Sequence, residues 1–229
     1  MHRVVDRSEQ ESAVAKLKIG AMIYGREIKS VGTNLPAFAG VFSRTEGSVR
    51  GDAKKPGLCS QQYPHHATQA KNEANALAQM TASIWDPEGE VDRGLKRLIA
   101  HVASRTAGCQ YCMAHTAEGA LHFGVEEKKL AAVWDYQTSP LFSAAERAAL
   151  DLAVAGAAVP NAVTDDMFVT LRKYWTEDQI VEIVGVIAMF GFLNRWNDTL
   201  ATPLEDEPIA TGEKYLSSHG WSPGKHRTT

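Results

Sequence analysis

An all-α fold, a helical bundle of about seven or eight helices, is what this sequence predicts. Three observations lead there. Side-chain caps recur just ahead of apolar residues spaced three and four apart. Glycines and prolines fall where those runs should stop. No segment alternates apolar and polar residues around an Asn-Gly or Asp-Gly turn, so no strand is expected. Ser8 with Glu11 forms a capping box ahead of Val14, Leu17 and Met22. Residues 30–63 hold Gly32, Gly40, Gly47, Gly51, Gly57, Pro36 and Pro56, and read as a long loop with a short helix near Leu35–Phe42. Helical spacing returns from Ala67 to Trp85 and breaks at Asp86-Pro87-Glu88-Gly89. Asp92 then caps a helix with Leu95, Leu98, Ile99 and Val102 on its apolar face, ended by Gly108. Cys109 to Phe123 is the next helix, stopped by Gly124, and Val125 to Tyr136 another. Ser143 and Glu146 box a helix through Leu150, Leu152 and Val154 to Gly156. Thr164 starts one expected to run to about Trp175. Thr176 and Gln179 start a long apolar helix to about Leu200. Three regions follow: residues 1–64, a helical domain over 65–202, and an irregular tail over 203–229 that wraps the surface or a neighbouring subunit.

Composition narrows the function classes. With 44% hydrophobic and 22% charged residues the chain is not disordered, and 229 residues can bury a core without disulfide staples. A net charge of −3 argues against a broad basic surface for nucleic acid. The first twenty residues lack the apolar run of a signal peptide. The most apolar stretch, Ile180–Leu193, is interrupted by Glu182 and short for a bilayer. A cytoplasmic protein without membrane contact is expected. No Gly-rich phosphate loop is present, and no cofactor is expected. The three cysteines, Cys59, Cys109 and Cys112, are too few and odd in number for a disulfide scaffold. In a reducing compartment a Cys-x-x-Cys pair points to redox chemistry or metal binding.

The chemistry concentrates in Gly108-Cys109-Gln110-Tyr111-Cys112-Met113-Ala114-His115. The break at Gly108 places the pair near a helix N-terminus, whose partial positive charge favours thiolate. A spacing of three puts both sulfurs on one face, within reach of a disulfide. One thiolate can attack a peroxide or disulfide and the other can resolve the product. His115, three residues beyond Cys112, can move the proton, and Glu118, three further on, can orient His115. His122 shares that side. His101 reaches the cysteines only if the chain bends at Gly108. Zinc on Cys109, Cys112, His115 and His122 is disfavoured, because four ligands on one helix do not surround a tetrahedral ion. Cys59 lies in the loop as a bystander. Asn194-Arg195-Trp196-Asn197-Asp198, at the end of the long helix, is a candidate wall of the pocket.

These residues resemble the carboxymuconolactone decarboxylase superfamily, and within it the alkyl hydroperoxidase D-like branch. The resemblance covers about residues 65–200. It rests on Ala107 to His115, on Phe142-Ser-Ala-Ala-Glu-Arg-Ala-Ala-Leu150, and on Glu182 through Asp198. It implies an all-helical fold that assembles as a dimer, trimer or hexamer. It implies a thiol peroxidase in which Cys112 attacks the peroxide and Cys109 resolves it, with a small hydroperoxide as substrate and a dithiol protein as reductant. Two departures stand out. The family histidine follows the second cysteine by four residues, whereas His115 follows by three. The family glutamate precedes the first cysteine by twelve, where this chain has Arg97, next to Lys96. The alternatives are lactone decarboxylation, which needs no cysteine pair, and a non-enzymatic redox-sensing oligomer.

Overall fold

A computed structural model of the chain describes residues 67–227. The expected first helix, the loop over 30–63 and Cys59 lie outside the described residues. The chain divides into two compact units, Met1–Ser83 and Ile84–Thr229. Within the described residues the first unit holds nearly all of helix α1 (Ala67–Ile84). The second unit carries every residue singled out above for chemistry except Cys59.

Every regular element among the second unit's described residues is a helix or 3-10 turn, and the caps explain most boundaries. Helix α2 (Arg93–Ala107) begins where Asp92 accepts the Leu95 N–H at 2.9 Å. It ends at Gly108, whose φ of 76° is the left-handed conformation that costs glycine no Cβ clash. Helix α3 (Gln110–His122) follows at once and closes before Gly124, at φ 84°. Helix α4 (Glu127–Ala131) passes into a 3-10 turn over Ala132–Asp135, so the expected helix to Tyr136 is split in two. Helices α5 (Ala144–Ala157) and α7 (Glu177–Leu200) open on the two capping boxes, Ser143–Glu146 and Thr176–Gln179. Helix α6 spans only Asp165–Leu171; the side chain of Thr164 makes no capping hydrogen bond, and the chain turns at Arg172 well short of Trp175. Trp175 is held instead by its indole N–H, which donates to the Ala145 carbonyl at 3.0 Å.

Helix α2 is the hub, packed against α3, α5 and α7. Leu95, Leu98, Ile99 and Val102 are buried there, as their spacing predicts. Ile180, Ile183, Ile187, Phe190 and Leu193 of α7 complete the core. By length and composition α7 could cross a membrane, yet 44% of its most apolar window is buried within the protein, as in a core helix. Its other face exposes Val181, Val184, Phe192, Trp196 and Leu200.

The tail is not irregular. After α7 the chain forms helix α8 (Asp206–Tyr215) and two 3-10 turns, Ser217–His219 and Gly224–His226. Pro208 falls in the first turn of α8, where a missing N–H leaves no helical bond unmade. Asp206 and Glu207 complement the positive end of the same helix. Helix α8 packs against α3, the helix that carries the cysteines.

Candidate functional site

Cys109 is the joint between α2 and α3. Its N–H donates to the Ser104 carbonyl at 3.1 Å and closes α2. Its Sγ accepts the Cys112 N–H at 3.4 Å and caps α3. A sulfur at an N-cap faces the unpaired amides of the first turn, which favour negative charge. The Cys112 thiol also hydrogen-bonds Cys109 and holds its pKa below the ordinary thiol value, against the opposing effects of burial and of the Asp198 carboxylate. Neither cysteine is in a disulfide, and both are buried, at 1% exposure for Cys109 and 0% for Cys112. The placement at a helix start is the one expected from the break at Gly108.

Asn197, buried on α7, donates its side-chain amide to Cys112 Sγ at 3.5 Å. The candidate wall at residues 194–198 therefore does reach the cysteine pair. His115 lies one turn beyond Cys112, with its ring 4.4 Å from that of Tyr111. Its Nε2 meets Glu205 Oε2 at 2.8 Å, with side-chain exposures of 4% and 20%. Glu205 is the residue that sequence reasoning missed. It sits on the first residue of the tail helix cap, ninety positions from its partner, and no local pattern marks it. Glu118 is half-buried on α3, one turn past His115.

The other candidates separate from the pair. His101 is fully buried, its Nδ1 3.1 Å from both the Met113 carbonyl and Thr116 Oγ1. Burial lowers its pKa to about 4, so it is a neutral tie between α2 and α3. His122 is exposed at the end of α3, edge-on to Phe123. Arg97 is 0% exposed, and its guanidinium lies 3.7 Å from the centre of the Trp85 ring and 5.3 Å from that of Phe123. It also abuts Gly119, two turns beyond Cys112, so it packs the hairpin away from the sulfurs. Among the described residues no group of three or more His, Cys, Asp or Glu side chains is arranged to hold a metal.

The tail covers this site. The Trp221 indole N–H donates to the carbonyl of Gln110, between the two cysteines, at 2.9 Å. His226 is buried with its ring 5.6 Å from Tyr111. Trp221 presses on Gly212, where an added Cβ would fall 2.6 Å from Cζ2 and Cζ3. Gly212→Ala should therefore displace Trp221 and loosen the tail. Alkylation of the pair by iodoacetamide should speed up about 10-fold, since buried thiols react through local opening. An unchanged rate would show that the tail does not limit access.

The model of the carboxymuconolactone decarboxylase family matches residues 65–155, which hold α1 to most of α5 and the Cys-x-x-Cys hairpin. The match to that family thus covers about two fifths of the chain and includes the cysteine pair, and solved structures under 25% identical share the helical fold. The chain is similar to the debrominase Bmp8 at 26% identity and a TM-score of 0.64, over 92% of this chain and 95% of the other. A Bmp8 variant with a cysteine changed to alanine was solved with 2,3,4-tribromopyrrole. It shares its fold with a protein of unknown function from Agrobacterium tumefaciens with a suggested AhpD-type antioxidant role, at 24% identity and a TM-score of 0.54, over 62% of this chain and 97% of that one. The uncharacterized protein YnjA of Escherichia coli is 26% identical over 115 residues, 50% of this chain and 63% of YnjA, so less than two thirds of that relative is spanned.

Proposed function

We propose that the protein is a thiol-dependent reductase, with a small hydroperoxide as the acceptor and a dithiol protein as the reductant. The hydrogen-bonded pair at the start of α3, Cys109 Sγ on the Cys112 amide, is the observation that carries this reading. The Cys112 thiolate attacks the outer peroxide oxygen, and the O–O bond breaks. His115 supplies the proton that makes the departing alkoxide an alcohol, leaving a sulfenic acid on Cys112. Cys109 displaces the hydroxyl as water and forms the disulfide, so two electrons have passed from the thiols to the peroxide. A dithiol protein returns the pair to its reduced form. Assembly as a homo-oligomer and a cytoplasmic setting complete the proposal.

The length of the match to Bmp8 favours a second acceptor, a brominated aromatic. The same two electrons and one proton would replace bromine by hydrogen, with bromide leaving and the disulfide forming. Single-turnover oxidation of the reduced protein compares the two directly. With tert-butyl hydroperoxide, disulfide should form in step with alcohol release. With a bromopyrrole, it should form in step with bromide. A protein that yields disulfide with neither at millimolar concentration is not a reductase of this kind.

A further inference from the structure

We infer that Glu205, carried in by the C-terminal tail, is the positioning carboxylate of the proton relay, in the role that Arg97 cannot fill. This rests on the reductase reading and adds to it a residue outside the matched segment 65–155. Arg97 is committed to the Trp85 and Phe123 rings and is a cation at any working pH. Glu205 instead places Oε2 2.8 Å from His115 Nε2 in a site that is largely closed to water.

A carboxylate on one ring nitrogen fixes the tautomer and the plane of the imidazole. The 2.8 Å approach of Glu205 Oε2 to Nε2 leaves Nδ1 as the ring atom for proton exchange, on a histidine one helical turn from Cys112. The position of Glu205 is set by the tail itself. It stands at the N-cap position of α8, the neighbouring Leu204 is buried, and the Leu204 N–H donates to the His226 carbonyl at 2.8 Å. Trp221 fastens the same segment to Gln110. Closing the tail over the cysteines and completing the relay are thus one event, and a protein with its tail displaced lacks both cover and carboxylate.

The step in which a relay matters is protonation of the leaving oxygen. The test is Glu205→Gln, nearly the same shape, with Glu205→Asp as a second variant, read by stopped-flow oxidation of the full-length reduced protein. Three reagents are compared: tert-butyl hydroperoxide, whose alkoxide needs a proton; peracetic acid, whose acetate does not; and iodoacetamide, which expels iodide. Glu205→Gln should slow the hydroperoxide reaction about 10–100-fold. It should leave the other two within about 2-fold, and Glu205→Asp should recover part of the loss. Equal slowing with all three reagents would mean that Glu205 only packs the site, and overturns the role. So does a hydroperoxide rate equal to wild type. A wild-type protein inert to the hydroperoxide overturns the reductase reading, and this role with it.

Discussion

Cys112→Ser is expected to abolish peroxide consumption, lowering it by about 1000-fold or more, because the proposed reaction begins with the bond from Cys112 sulfur to the peroxide oxygen. Cys109→Ser should complete one turnover and stop, with a sulfenic acid trapped on Cys112 by dimedone and read by mass spectrometry. Hydrogen bonds at the site pull on both sulfurs. The N-cap position and the Cys112 thiol favour charge on Cys109. The Asp198 carboxylate opposes charge there, while the Asn197 amide donates to Cys112. A proton passing from Cys112 to a Cys109 thiolate along their hydrogen bond would move the charge onto Cys112, the sulfur assigned to attack. Trapped sulfenic acid on Cys109 in the Cys112→Ser protein would reverse the two roles. Consumption that survives in both variants would remove the pair from the reaction.

What was legible in the sequence is what local chemistry writes there. Asp92, Ser143 and Thr176 cap the helices they were expected to cap, since a cap is decided within four residues. The Cys-x-x-Cys pair at a helix start follows from Gly108 in the same way. In sequence the tail reads as irregular because Pro208 and Gly212 look like breakers. One falls in a first turn, and the other is the seat for Trp221. Thr164 shows the opposite error, a cap-type residue whose helix ends after two turns. Arg97 stands out in the sequence, but the two aromatic rings that hold it come from residues 85 and 123, on either side of the α2–α3 hairpin. Glu205 had no local signature at all. Its meaning is the 2.8 Å approach to His115, a product of how α8 folds back on α3.

The same kind of long-range pairing decides stability at the other side of α2, where Glu182→Ala should cost about 3 kcal/mol. Lys96 is buried at 1% exposure beside Arg97, and its charge has to be met inside the protein. Its Nζ lies 2.6 Å from Glu182 Oε2 and donates to the Ile84 carbonyl at 3.0 Å. Glu182 also accepts the backbone N–H groups of Glu90 at 2.8 Å and Val91 at 3.3 Å, so it ties α7 to the turn that leads into α2. Burial works against the charge on Glu182, but Lys96 and these two amides win, and its pKa falls below the ordinary 4.5. Removing the carboxylate strands the lysine with one carbonyl. The low end of the range for breaking a buried pair applies because Glu182 is 24% exposed. For a chain of this size the loss should read as a fall in Tm of about 10 °C. A carboxyl whose folded pKa is depressed contributes its stability above its unfolded pKa and loses it as the pH drops. The difference between wild type and Glu182→Ala should therefore be full at pH 7 and shrink below the ordinary carboxyl value of 4.5. Pairing Glu182→Leu with Lys96→Met should return much of the loss, since it removes the stranded charge along with its partner. A single variant that melts within about 1 °C of wild type at pH 7 would mean that Lys96 finds water in place of Glu182, and that the turn before α2 is not held by this contact.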